Sequence, residues 1–204
     1  MGHFSRLAAI AILLAGMPAL AQTAPESTRV RVAGTIEELK GDVLTVNAAN
    51  GQKQSVTLSP DLQVYGVESR QVTDIKPGDF LASGGVRGTD GKIYAVWVRI
   101  FPEALRGVNE GQRPWDARPE GVMTNATVGT VSSSGAGGII HVTYKDGQSE
   151  FTVGSEIPIL ADVPADRSLL KLGATVVAFA TKQPDGSLKA GRINAEKNGI
   201  KPPL

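Results

Sequence analysis

The sequence contains no cysteine, and only two histidines occur among its 204 residues. Without thiols the protein can form neither disulfides nor a thiolate metal or catalytic site. His3 lies in the N-terminal segment interpreted below as a signal peptide, which leaves His141 as the one histidine of the mature chain. A zinc site with several histidines is therefore excluded, and a Ser-His-Asp triad would have to use His141.

Long hydrophobic runs are also missing. The apolar run at residues 7–15 is shorter than the ~20 residues that a membrane-spanning helix needs. Arg6 precedes this run and the A-x-A pattern Ala19-Leu20-Ala21 follows it, so residues 1–21 are predicted to be a cleaved signal peptide. We therefore expect an exported protein, periplasmic or secreted, with no membrane span.

An excess of charge of one sign is absent, since 21 Lys and Arg stand against 20 Asp and Glu. A balanced chain has no field that would attract nucleic acid or an anionic membrane surface. Aromatic residues make up 5% of the sequence, so few side chains are available for bases to stack on. We expect no nucleic acid as a partner.

One pattern occurs twice in the sequence. The matching positions are Gly34 and Gly129, Lys76 and Lys171, Gly78 and Gly173, and Asp90 and Asp185. The matches fall on turn residues, and the apolar pattern between them also agrees. They predict a tandem repeat, with residues 28–101 as the first copy and residues 125–197 as the second.

Both copies have the alternating apolar pattern of β-strands, as in "RVRVAGTIEEL" and "KIYAVWVRI", with turn residues between the runs. Each copy reads as three strands, a short excursion with room for one helical turn, and two further strands. This order predicts an all-β protein of two tandem small OB-like β-barrels. An ordered irregular segment, residues 102–124, would join the barrels, and residues 198–204 would form a C-terminal tail. One larger sandwich built from both copies is the alternative.

The stretches "VAGTIEEL", "DIKPGDFLASGG" and "DGKIYAVWVRI" resemble a family of exported bacterial small β-barrel domains of unknown function. The resemblance covers both copies and is better in the first. Its motifs are turn and core motifs, so it implies a fold rather than an activity. It also implies a histidine at the position of Gln112, and a metal site that depended on that histidine would be lost here.

Residues 101–126 differ from their flanks, because they are dense in Arg, Glu, Pro and Gly and hold one of the two tryptophans. Arginine and tryptophan are frequent in binding hot spots, and ordered loops on rigid scaffolds often carry function. The residues predicted to bind a ligand or partner are Arg106, Glu110, Arg113, Trp115 and Asp116. The partner would be an envelope protein, a polymer or a small ligand. Alternatively, Trp115 packs against the barrels and the segment is purely structural.

No catalytic residue, metal site or cofactor is predicted. Glu103, Glu110, Asp116 and Glu120 are interleaved with arginines, which is more typical of ion pairs than of acid–base catalysis, so a hydrolase is the less favoured alternative. Neither a phosphate-binding loop nor an EF-hand pattern occurs. His141 lies between Ile140 and Val142 in an alternating strand and is predicted to face solvent.

Overall fold

The structure is a computed structural model that describes residues 28–115, 118–134 and 137–203. The predicted signal peptide and Asp116 lie outside these residues. The first six strands are β1 (Arg29–Lys40), β2 (Val43–Ala48), β3 (Lys53–Arg70), β4 (Phe80–Arg87), β5 (Ile93–Phe101) and β6 (Gly111–Pro114). They are followed by β7 (Gly121–Ser134), β8 (Gly137–Tyr144), β9 (Gly147–Val153), β10 (Ile159–Ala165), β11 (Thr175–Lys182) and β12 (Leu188–Ala195).

Short 3-10 turns occupy the two excursions where a helical turn was predicted, at Val72–Asp74 and Arg167–Leu169. The side chain of Asp74 accepts a hydrogen bond from the backbone N–H of Gln71 at 2.8 Å. Asp166 similarly accepts one from the N–H of Ser168 at 2.8 Å. These local caps satisfy donors that the short turns leave free, so the two turns follow from sequence alone.

Five strands form a closed barrel, called here the first barrel, in the order β1-β2-β3-β12-β11 and back to β1. Only β3 and β12 run parallel; the other neighbours are antiparallel. The interior is filled by one face of each strand, because strand side chains alternate between the two faces. Buried residues of this core are Val32, Ile36, Leu44, Val46, Val56, Leu58, Val64, Leu170, Val176, Ala178, Ala180, Ala190, Ile193 and Ala195.

Five other strands pair in a second ring, in the order β7-β8-β9-β5-β4 and back to β7. The parallel closure between β5 and β9 is short and consists of the pairs Ile93 with Phe151 and Tyr94 with Thr152. A separate hydrophobic core fills this ring, with Phe151, Leu81 and Ile140 among its fully buried side chains.

The predicted all-β class is confirmed, whereas two tandem barrels, each made from one repeat, are not. The first barrel takes β1, β2 and β3 from the first repeat but its closing hairpin, β11 and β12, from the second. The second ring takes β7, β8 and β9 from the second repeat and the hairpin of β4 and β5 from the first. Each predicted repeat, residues 28–101 and residues 125–197, thus contributes its last hairpin to the ring that the other one begins.

Strand β10 connects the first barrel to the second ring. It pairs antiparallel with the second half of β3, with Asp162 opposite Val67, and parallel with β5, with Ile159 opposite Val98. Because β10 has neighbours on both sides, neither ring presents a free edge at this junction. The two rings thus lie side by side in one continuous set of paired strands.

The segment predicted to be irregular, residues 102–124, contains β6, which pairs with the start of β7. The matched register of the first strands also needs correction. Bulges follow Ile36 in β1 and Val128 in β7, so Gly34 corresponds in space to Ala126 and not to Gly129. The match of Gly34 with Gly129 was misleading because glycine identity outweighed the strand pattern.

Candidate ligand-binding cavity

A cavity of about 470 Å³ lies where the outer faces of the two rings meet. One wall belongs to β1, β11 and β12, the other to β4, β5 and β7, and residues 108–109, residues 113–115 and Pro203 complete the lining. Four arginines contribute to it: Arg31, Arg99, Arg113 and Arg192. The aromatic lining residues are Trp97, Phe101, Trp115 and Phe179. No acidic side chain is among the lining residues in the described part of the chain.

Strand alternation directs these side chains away from the barrel interiors. On β12, Ile193 is buried inside the first barrel, while Arg192 and Asn194 point to the opposite face. On β5, Val98 belongs to the core of the second ring, and its neighbours Trp97 and Arg99 line the cavity. These residues would face water on an isolated barrel. Here Arg99 and Asn194 are buried, and Trp97 and Arg192 are half-buried, because the two outer faces pack together.

The exchange of hairpins places matched positions of the two repeats on opposite walls. Trp97 on β5 pairs with Gly84 on β4, and Arg192 on β12 pairs with Phe179 on β11. In each hairpin a bulge lies directly beside this pair. Trp97 and Arg192 therefore occupy equivalent positions. Since one is aromatic and the other cationic, two similar hairpins form walls of different chemistry.

The ion pair of Arg99 with Asp162 is buried between the rings. The Nε of Arg99 donates to Oδ1 of Asp162 at 2.6 Å, and the two residues are only 7% and 4% exposed. Burial raises the pKa of Asp162 above its usual range, and the charge of Arg99 opposes this shift. One carboxylate thus balances one guanidinium, whereas Arg31, Arg113 and Arg192 have no salt bridge within the described residues.

Several buried polar atoms of the lining have no hydrogen-bond partner among the described residues. They are Nη2 of Arg99, Nε of Arg192 and Oδ1 of Asn125. The amide of Asn194 instead interacts with the carboxylate of Asp162, whose pKa it lowers. Asn125 and Asn194 are 3% and 1% exposed. Because buried polar groups are nearly always paired, three such side chains around one cavity indicate a place that a polar ligand would complete.

The arginines of the lining influence one another electrostatically. Loss of solvent lowers the pKa of Arg31 and of Arg192, and the charge of Arg99 lowers both further, although Asp162 partly opposes the shift of Arg192. Arginine stays protonated in proteins even so. The lowered pKa values therefore reflect loss of solvent first and repulsion by Arg99 second, and an anion in the cavity would oppose both effects.

The aromatic wall is formed by Trp97 and Trp115. Their rings are 6.2 Å apart and nearly perpendicular, at 89°. The guanidinium of Arg118 lies over the Trp115 ring at 5.7 Å. On the opposite wall the Arg192 guanidinium stacks on Phe179 at 3.9 Å, which holds this cation by a cation–π contact.

Gly84 leaves the space that Trp97 occupies. A Cβ atom at position 84 would lie 2.6 Å from the indole Nε1, so Gly84→Ala is expected to displace Trp97 from the wall. Both tryptophans of the sequence line the cavity, so tryptophan emission reports on it directly. We expect emission at longer wavelength and stronger acrylamide quenching. The control is Gly154→Ala, where a Cβ meets open space; equal spectra for both variants would contradict this account.

The structure separates the five predicted contact residues. Arg113 and Trp115 line the cavity. Arg106 instead binds both carboxylate oxygens of Glu103, at 2.6 and 2.7 Å, and donates to the carbonyl of Gly78. Glu110 accepts from the backbone N–H of Lys145 at 3.1 Å, and Asp116 lies outside the described residues. Arg106 and Glu110 thus fasten the segment to the second ring.

The residues that sequence reasoning missed are those on the strands: Arg31, Trp97, Arg99, Asn125, Arg192 and Asn194. A signal for them was present, since arginine, tryptophan and asparagine alternate with core residues on the outer faces of these strands. Alternation alone predicts solvent exposure for such residues. Their place in the cavity depends on the contact between the rings, which no local pattern reveals.

The residues considered above for a catalytic or metal site, His141 and Gln112, do not line the cavity. His141 is exposed, as predicted, and its Nδ1 lies 3.1 Å from Oε2 of Glu150 on the neighbouring strand. Gln112 donates to Thr124 and Ser149, at 3.1 and 2.9 Å. Among the described residues, no three His, Asp or Glu side chains come together as a metal site would require. That part of the chain also has no helix with the length and apolar character of a membrane span.

Comparisons with protein-family models, with curated proteins and with solved structures gave no match for this chain.

Proposed function

We propose that the protein is a non-catalytic binding module that holds a small anionic ligand in the cavity between the two rings. The observation that carries the proposal is the concentration of positive charge and unpartnered buried polar atoms at one place. Four arginines line the cavity, and the described residues supply one buried carboxylate, Asp162, to balance them. Guanidinium groups bind carboxylate, phosphate and sulfate through paired hydrogen bonds.

The size of the cavity favours a small ligand over a macromolecule. Its volume of about 470 Å³ lies within the 300–1,000 Å³ that is usual for small-molecule sites. An apolar lining with a few convergent polar groups is also typical of such sites. An anion placed here would accept hydrogen bonds from Arg99 and Arg192, whose unpartnered nitrogens are already desolvated.

The place and construction of the protein are part of the proposal. Residues 1–21 act as a signal peptide that delivers the chain to the periplasm. The chain is an exported small β-barrel protein of the kind that its motifs resemble, with two OB-like barrels whose last hairpins are exchanged. The strand order of the first barrel, with its parallel pair β3 and β12, supports the OB-like assignment.

A purely structural role is the second candidate, and the contacts of residues 102–115 favour it. Besides the contacts of Arg106 and Glu110, Arg29 of the first barrel donates to Oδ1 of Asn109 at 3.4 Å. Asn125 donates to the carbonyl of Val108 at 2.8 Å. The segment therefore touches both rings, as a structural clamp would, but this role leaves the arginines of the cavity without an explanation.

Titration with inorganic phosphate and sulfate at constant ionic strength tests the anion site, with tryptophan emission as the signal. We expect a saturable change, and Arg192→Gln should weaken it at least tenfold, since a hydrogen bond to a charged group contributes roughly 1.5–3 kcal/mol. Arg87→Gln is the control, because Arg87 is charged and on β4 but does not line this cavity. A linear response, or equal weakening by both substitutions, would remove the support for an anion site.

A further inference from the structure

We infer that the ligand is an organic anion in which an acidic group is attached to a flat aromatic or conjugated ring. This inference rests on the proposed function, because it names the class of anion that the same cavity accepts. It goes further in assigning two parts of the cavity different tasks, one at Arg99 and Arg192 and the other at Trp97 and Trp115. The cationic groups bind the acid, and the tryptophan wall binds the ring.

The acid is bound where two desolvated guanidinium groups face the cavity. The Nε of Arg99 is committed to Asp162, so the two terminal nitrogens of its guanidinium, including the unpartnered Nη2, are left for a ligand. Arg192 offers its unpartnered Nε and is held in place by stacking on Phe179. Arg99 on β5 and Arg192 on β12 line the same cavity from its two walls, so one acidic group placed between them would interact with both.

The ring is bound by the corner that Trp97 and Trp115 form. Two indoles at 89° offer one face and one edge, which is the arrangement that aromatic rings prefer when a further ring packs against them. Met123 and Phe101 extend this apolar surface. Methionine sulfur and aromatic edges both contact flat π-systems favourably. An inorganic anion would leave this whole wall without a partner.

The spacing of the two subsites matches one compact molecule. Trp97 and Arg99 are two residues apart on β5 and line the same cavity. Successive residues on one face of a strand are separated by about 7 Å. A carboxylate or phosphate carried on one or two fused rings spans this distance. The amide of Asn125, with its unpartnered Oδ1, would bind a polar substituent at the edge of the ring.

Calorimetric titration with 2-naphthoate tests the inference, with naphthalene-2-methanol as the neutral match and acetate as the ringless match. The indole N–H signals of Trp97 and Trp115 in ¹H–¹⁵N spectra locate each bound compound. We expect 2-naphthoate to bind at least about tenfold more tightly than either match and to shift both indole signals. Arg192→Gln and Trp115→Leu should each weaken it about tenfold, while Arg87→Gln should not.

The outcomes separate this inference from the function on which it rests. If acetate or sulfate binds as tightly as 2-naphthoate, or if Trp115→Leu leaves 2-naphthoate binding unchanged, the ring subsite is wrong and the anion site stands. If naphthalene-2-methanol binds as tightly as 2-naphthoate, the cavity does not select for negative charge. That result would contradict both this inference and the anion-binding function. Both are also contradicted if none of the compounds binds. The same holds if binding leaves the indole N–H signals in place and Arg192→Gln binds with unchanged affinity.

Discussion

Division of the chain at Gly107 is expected to give two halves that fold only when they are together. The first barrel needs β11 and β12 from the second half, and the second ring needs β4 and β5 from the first. Half of each hydrophobic core is lost when one half is expressed alone. We expect residues 22–107 and 108–204 to co-purify as a 1:1 complex after co-expression. Separately, each should lack the cooperative thermal transition of the intact protein.

The matched control restores one complete barrel in a single polypeptide. Residues 28–66 joined through Asn-Gly to residues 163–203 contain all five strands and the whole core of the first barrel. The junction is sterically simple, because Gly66 and Val163 are direct antiparallel partners and Asn-Gly favours a two-residue hairpin. This polypeptide should fold as a monomer. A stable, monomeric and fully folded fragment 22–107 would instead favour barrels made from single repeats.

The second large effect is expected for Asp162→Ala. The substitution leaves the guanidinium of Arg99 buried without its carboxylate, and loss of one partner from a buried ion pair costs roughly 3–5 kcal/mol of unfolding free energy. For a chain of this length the loss corresponds to a fall in Tm of roughly 10 °C. Thermal unfolding followed by circular dichroism measures it.

Asp42→Ala is the matched control for this loss. Asp42 accepts from Arg167 at the same distance, 2.6 Å, but both side chains are exposed, so we expect little change in Tm. A third variant replaces both Arg99 and Asp162 by leucine and should recover much of the stability, because it removes the buried charge along with its partner. Equal losses for Asp162→Ala and Asp42→Ala would show that burial does not determine the strength of this pair.

The effect of sulfate on the Tm of these variants tests whether Arg99, without Asp162, binds an anion. In Asp162→Ala the unpaired Arg99 would gain an anion as its partner, and a ligand that binds only the folded state raises Tm. Sulfate should therefore raise the Tm of Asp162→Ala more than that of Asp42→Ala. The comparison between variants cancels the general stabilising effect of sulfate on folded proteins.

The strands and turns were predictable because local patterns determine them. Alternation of Val32 and Ile36 with polar neighbours predicted β1 and its buried face, and similar runs predicted the other long strands. The 3-10 turns near Val72 and Arg167 were predicted in the right places. Strand β6 was missed, since Gly111 to Pro114 has no apolar alternation and is a strand only because β7 lies beside it.

Part of the candidate site was predictable from composition. Arg113 and Trp115 stand out in a segment rich in arginine and proline, and both line the cavity. Arg99 and Asn194 did not stand out, because each is one polar residue in an alternating strand. Whether such a residue meets water or a second protein surface depends on contacts between residues far apart in sequence.

The sequence by itself determined the all-β class and the face that each long strand buries, because hydrophobic alternation and turn residues act over a few neighbouring positions. Only the tertiary structure decided which hairpin closes which ring. The hairpins β4–β5 and β11–β12 have nearly the same pattern, so either could fill either ring, and the choice is made by packing across the whole chain. That choice brings Trp97 and Arg192 to opposite walls, and it creates a charged, aromatic cavity that neither repeat encodes alone.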